Sequence, residues 1–184
     1  MILEMDGEGI MEGLTMEAPK VELCTPLQQL KDEHVSLRAD MNLFYEISEE
    51  IESDSGPTVV LLFSKLYNQV SAFTKKLKAH SKREDEGLFP MMARCLGEND
   101  RTIENMEFEH EKAEQHLQDF LTEAVRAGAT LSEHDAQAIT VYAVQAHATL
   151  TQHFAKEEKV LFPLAEQILS ADEKKELQQQ FQMQ

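Results

Sequence analysis

Along most of the chain, apolar residues return every third or fourth position, and short breaks rich in Gly, Pro, Ser and Asp separate the runs. That period belongs to helices with one buried stripe. Leu27, Leu30, His34, Leu37, Met41, Phe44 and Ile47 form the first stripe. Thr25-Pro26-Leu27-Gln28 predicts its start: a hydroxyl cap, a proline at the first helical position and a Gln placed to close a capping box. Ser53-Asp54-Ser55-Gly56-Pro57 breaks it. A second stripe runs through Val59, Leu62, Leu66, Val70, Phe73, Leu77, His80, Glu84 and Leu88 until Pro90 and Gly97 interrupt it. The third, capped by Asn99 or Asp100, carries Ile103, Met106, His110, Ala113, Leu117, Phe120 and Ala124 and stops at Gly128. Ser132 caps the fourth, with Ile139, Tyr142, Ala146, Leu150, His153, Glu157, Leu161, Leu164 and Ile168, and Pro163 is expected to kink or end it.

Ser170-Ala171-Asp172-Glu173 has the capping-box pattern of a further short helix, with a frayed Gln-rich tail behind it. No strand pattern competes. Short connections between long helices favour antiparallel neighbours, so the expected fold is all-α: an up-down-up-down antiparallel four-helix bundle. The expected division is an irregular, flexible acidic leader over 1-24, the bundle over 25-170, and a short C-terminal helix and tail over 171-184.

Six stripe positions hold polar residues where leucine is expected: His34, His80, Glu84, His110, His153 and Glu157. A buried carboxylate without a partner costs several kcal/mol, and a buried imidazole needs partners for both nitrogens. Gathered in one core, such groups are best compensated by cations. Residues four apart on a helix lie about 40° apart on one face, so His80 and Glu84 can reach one centre, as can His153 and Glu157. The depths agree: His34 lies 20 residues before Asp54 and His80 lies 24 after Gly56. His110 lies 18 before Gly128 and His153 lies 21 after Ser132, so the four histidines fall near one level.

The sequence also repeats itself. Both His80…Glu84…Leu88-Phe89-Pro90 and His153…Glu157…Leu161-Phe162-Pro163 read HxxxE followed by LFP, offset by 73 residues. Glu33-His34 and Glu109-His110, offset by 76, each precede a Phe by ten residues from the histidine. Two helical hairpins, each giving two histidines and one glutamate, would close a pseudo-two-fold cage. Imidazole and carboxylate donors without thiolate suit iron, manganese or zinc alike. Two carboxylates between two nitrogen clusters suggest bridging of two ions, with positions left open for an oxo bridge, water or a small gas molecule.

Composition narrows the partners. The 17 Lys and Arg against 34 Asp and Glu give a formal charge of −17, which repels phosphate backbones and anionic membranes. Cys24 and Cys95, 71 residues apart with no CxxC spacing, fit neither a disulfide framework nor a cysteine zinc site. No secretion signal or bilayer-length apolar run is visible, and a cytoplasmic location is expected. His116, His134 and His147 lie off the stripes and read as surface or boundary residues. Glu114 shares a face with His110 and stands as an alternative ligand or as an acceptor for a ligand's second nitrogen. Lys75, Lys76, Lys78, Lys82 and Arg83 read as a solvated basic face, and Met41, Phe44, Phe73 and Phe120 as core.

At the paired HxxxE…LFP motifs and the single EH histidines, the chain resembles the hemerythrin-like, or HHE cation-binding, family over roughly residues 26 to 169. The resemblance implies two non-heme iron ions, oxo- or hydroxo-bridged, with Glu84 and Glu157 bridging and His34, His80, His110 and His153 as terminal ligands. It further implies reaction with oxygen or nitric oxide. Oxygen-carrying members place a second histidine four after the one on the third helix, where this chain has Glu114. The symmetric set of four His and two Glu is similar to that of di-iron proteins implicated in iron-sulfur cluster repair. Those carry an extra N-terminal domain with adjacent cysteines, where this chain is expected to have only an acidic leader with Cys24.

Binding or sensing of oxygen, nitric oxide or iron is therefore the first reading. Cluster repair, or defence against nitrosative or oxidative stress at the same centre, is the alternative. A rubrerythrin-like or ferritin-like oxidase needs two ExxH motifs, and only Glu107-His110 has that spacing. A metal-free scaffold fails on desolvation. No separate acid, base or substrate pocket is legible, which favours binding over catalysis.

Overall fold

The computed structural model describes residues 21–183, and these are helical apart from short connections, with no strand among them. The expected leader lies, up to residue 20, outside the described residues. Helices α1 (Thr25–Ser53) and α2 (Thr58–Arg83) come first, followed by a π turn (Glu84–Leu88) and α3 (Phe89–Leu96). Then come α4 (Thr102–Ala127), α5 (Glu133–Lys156), a second π turn (Glu157–Leu161), α6 (Phe162–Ile168) and α7 (Ala171–Met183). The four long helices close on one another: α1 packs along α2 and α5, and α4 along α5 and α2. No helix among the described residues is long and apolar enough to cross a membrane.

The caps follow local chemistry with two corrections. Ser132 opens α5 with a capping box, its Oγ accepting from Asp135 N–H at 3.1 Å while Asp135 accepts from Ser132 N–H at 3.2 Å. Ser170 and Glu173 make the same exchange before α7. At the head of α4 the cap position falls to Arg101 and not to Asn99 or Asp100, though Asp100 Oδ1, one residue earlier, accepts from Thr102 N–H at 2.7 Å. Thr25, by contrast, does not cap α1; it is the first helical residue, with Cys24 before it. Glu166 of α6 takes the Cys24 N–H at 2.6 Å and Gln28 turns to Asp32, so a tertiary contact replaces the expected box. Gly128 ends α4 at φ 51°, a backbone region where Cβ is disfavoured.

Neither Pro90 nor Pro163 ends its helix. Each follows a π turn in which an N–H reaches five residues back, Phe89 to Glu84 O and Phe162 to Glu157 O. A proline lacks its own N–H and crowds the carbonyl four residues earlier. The widened turn just before each proline loosens the ladder where both defects fall, and the helix resumes. The inserted residue also rotates the helix beyond it. Instead of Leu164 and Ile168, which are half-exposed, Phe162, Ala165 and Leu169 are buried.

The C-terminal segment is not frayed within the described residues. α7 runs to Met183 and lies on α1 and the first π turn, burying Leu177 and Phe181. Gly87 makes this possible: a Cβ there would meet Leu177 Cδ1 at 3.0 Å and Phe181 Cε1 at 3.2 Å. The equivalent residue of the second motif, Val160, is exposed.

The core has two apolar parts. One contains Leu37, Leu77, Ala113 and Leu150, together with Met41, Phe44, Phe73 and Phe120 as expected; the other contains Leu30, Leu88, Met106 and Leu161. On each long helix the polar stripe residues fall between the two.

Candidate metal centre

His34 on α1, His80 at the end of α2, Glu84 opening the first π turn, His110 on α4, His153 on α5 and Glu157 opening the second π turn are each at most 5% exposed. They meet in two groups. Donor atoms of His34, His80, Glu84 and Glu157 lie within 4.8 Å of one another, as do those of Glu84, His110, His153 and Glu157. Both glutamates therefore belong to both groups. The nearest approaches are His34 Nε2 to His80 Nε2 at 3.1 Å, His34 Nε2 to Glu157 Oε2 at 3.2 Å and His80 Nε2 to Glu84 Oε2 at 3.3 Å. Across the cage, His110 Nε2 lies 3.4 Å from Glu84 Oε2 and His153 Nε2 lies 2.9 Å from Glu157 Oε1.

The far nitrogen of every ring is held by a carboxylate. His34 Nδ1 meets Glu158 at 2.9 Å, His80 Nδ1 meets Glu33 at 2.9 Å, His110 Nδ1 meets Asp85 at 2.9 Å and His153 Nδ1 meets Glu109 at 3.1 Å. A carboxylate only accepts, so each Nδ1 carries the hydrogen and each Nε2 is turned inward. The partners obey the sequence repeat: the residue before each EH histidine holds the other histidine of its hairpin, and the residue after each motif glutamate holds the EH histidine of the opposite hairpin. The LFP phenylalanines complete the pattern. Phe89 stacks on His110 with ring centroids 5.4 Å apart, and Phe162 on His34 at 5.5 Å.

Electrostatics favour ionised groups here. Burial opposes charge on His110, but the hydrogen bond to Asp85 and the close Glu84 carboxylate prevail and raise its pKa to about 10. Burial likewise opposes charge on Glu157, and His153 and His34 outweigh it, holding the carboxyl well below the usual range. What the protein does not supply is a full set of partners. Both oxygens of Glu84, both of Glu157, and Nε2 of His110 and His153 are buried without a hydrogen bond. Orphaned atoms of that kind are rare, because each carries a desolvation cost that nothing repays. Nitrogen and oxygen donors converging around such atoms fit metal cations, and the cluster suits metal binding.

Of the remaining candidates, Glu114 is half-buried and belongs to neither donor group. His116 and His147 are half-buried and His134 is exposed; His147 stacks on Tyr45 at 4.4 Å. The basic face is solvated at Lys75, Lys76, Lys78 and Lys82, but Arg83 departs from it, donating to Glu33 at 3.3 Å and to Ala79 O at 2.8 Å. Sequence reasoning assigned no role to Glu33, Asp85, Glu109 and Glu158. Their signal was present, an acidic residue at the same place in both repeats, but acidic residues are common throughout this chain. Phe154, stacked on His34 at 4.2 Å, was also missed, and its counterpart in the first motif is Ser81.

The hemerythrin HHE cation binding domain model matches residues 25–165. No curated protein matches the chain. The matched span runs from the first residue of α1 into α6 and includes every residue of the cluster, and the chain belongs to the hemerythrin HHE cation-binding family.

Proposed function

We propose that the cluster holds two non-heme iron ions and that the protein binds or senses oxygen or nitric oxide there. In this reading Glu84 and Glu157 would be shared by the two ions, with His34 and His80 holding one and His110 and His153 the other. The observation that carries it is the pair of overlapping donor groups sharing both buried, unsatisfied glutamates. Bound iron would supply a ferrous–ferric couple and open coordination positions. The chain's own part is to orient four Nε2 atoms inward through the outer carboxylates and to shut out bulk water with Phe89, Phe154 and Phe162, all fully buried.

The scaffold reading that goes with this is an up-down-up-down antiparallel bundle over 25-170, preceded by a leader and followed by a C-terminal helical unit. The short connections between α1 and α2 and between α4 and α5 support it. Two free cysteines support a reducing, cytoplasmic setting. Cluster repair or stress defence is the second reading, favoured by the symmetric four-His, two-Glu set and by Glu114 in place of a further histidine. The test is to measure iron per chain and record absorption spectra of the reduced protein before and after oxygen and nitric oxide. Reversible change supports binding or sensing. Rapid turnover with a reductant, or restored activity of a damaged iron-sulfur enzyme, supports the second reading instead.

A further inference from the structure

The inner ligands repeat almost perfectly between the two hairpins, but the charges behind them do not. In the His34/His80 half, both outer carboxylates are shared with arginines: Glu158 with Arg38 at 2.5 Å and Glu33 with Arg83 at 3.3 Å. In the His110/His153 half, Glu109 is shared with Lys156, while Asp85 has no Lys or Arg partner among the described residues. The repeat offset of 76 that relates His34 to His110 carries Arg38 onto Glu114, so a cation in one half is replaced by an anion in the other. Two carboxylates with two cations leave the first half formally neutral, and two carboxylates with one cation leave the second negative.

An outer carboxylate strengthens a histidine ligand by drawing on its Nδ1–H, and a cation on that carboxylate weakens the pull. We infer that the two halves of the cage are unequal in cation affinity, the His110/His153 half binding more tightly because Asp85 is unneutralised and the His34/His80 half more weakly because Arg38 sits on Glu158. This rests on the two-ion reading above. Asp85 and Arg38 would then be positioning residues, touching no ion themselves and acting through His110 and His34. Asp85 is 42% exposed and Arg38, which lies over the Phe154 ring, is 36% exposed, so solvent reduces both effects without removing them.

The test is anaerobic titration of the metal-free chain with cobalt(II) alone, followed by visible absorption and calorimetry, with helicity checked by circular dichroism. Two separable steps are expected in the wild type. Asp85→Asn keeps a hydrogen-bond acceptor but removes the charge, and should weaken the tighter step by about 10- to 100-fold, the usual effect of losing an outer-shell partner. Asp85→Glu should restore it. Arg38→Gln should tighten the weaker step, a gain that a merely structural role would not produce. Weakening of the looser step by Asp85→Asn, no change in either step, or no gain from Arg38→Gln overturns the inequality while leaving the two-ion reading standing. Uptake of fewer than two ions by the wild type overturns the two-ion reading itself, and this inference with it.

Discussion

Nε2 of His34 lies 3.1 Å from Nε2 of His80, with both rings buried where α1 meets α2. Their far nitrogens donate to Glu158 and Glu33, so each inner nitrogen presents a lone pair unless it takes a second proton. Two lone pairs facing at that distance repel. Either a proton or a cation has to relieve them, and the two compete for one place. Metal uptake near neutral pH should therefore expel about one proton or more per chain. Calorimetric titration in two buffers of different ionisation enthalpy measures it; heats that do not depend on the buffer would show that no such competition exists.

A pH dependence unrelated to the metal arises at the junction of α1, α6 and α7. Glu166 accepts from the Cys24 N–H at 2.6 Å and from Lys174 at 2.5 Å. Burial raises its carboxyl, but these bonds prevail and hold it below the ordinary 4.5. Between the folded and unfolded values the unfolded chain binds more protons, so acidification favours unfolding. The contribution is complete above about 4.5 and is lost as pH falls through the folded value. Urea midpoints of the metal-free protein should fall less steeply below that pH for Glu166→Gln than for the wild type. Parallel profiles would mean the contact contributes nothing.

Among the described residues, Ser132 is the one cap of a long helix with both bonds of the box in place. Replacing it with alanine leaves the Asp135 N–H without its acceptor and should cost about 1 kcal/mol, within the range for N-cap losses. Denaturant unfolding with an unchanged slope is the check. An unchanged midpoint would place the cap outside the cooperative fold.

Gly87 carries a sharper cost. A side chain there enters space held by Leu177 and Phe181, so Gly87→Val should lift α7 from the first π turn. Overpacking of this kind costs about 1–3 kcal/mol. Hydrogen exchange should rise across Ala171–Met183 while α4 and α5 stay protected, and unchanged protection in α7 would refute the contact.

These particulars also show what the chain discloses before it folds. The stripes of α1, α2, α4 and α5 were legible because one apolar face per long helix writes a period into the sequence, and the six inner residues stood out because they interrupt that period. Pro90 and Pro163 misled only as stops, since a proline reads as one unless a wide turn precedes it, and π turns leave no periodic mark. The burial of Phe162, Ala165 and Leu169 in place of Leu164 and Ile168 comes from the same extra residue. The Cys24–Glu166 contact was hidden for another reason: it joins residues 142 apart, and no local pattern encodes it. The outer carboxylates were written in both repeats, but in a chain with 34 acidic residues a carboxylate acquires meaning only when an imidazole is seen beside it.

On the metal-binding reading, His34, His80, Glu84, His110, His153 and Glu157 are buried because cations neutralise the two carboxylates and take up the lone pairs of the four imidazoles. The most direct measurement is iron content per chain after anaerobic equilibration with iron(II), made on the wild type, His80→Ala and Glu157→Ala. About two ions are expected in the wild type and a marked loss in both variants, since each removes a donor from a site with few to spare. Full iron occupancy in both variants, or a folded wild type that takes up no iron, would contradict it.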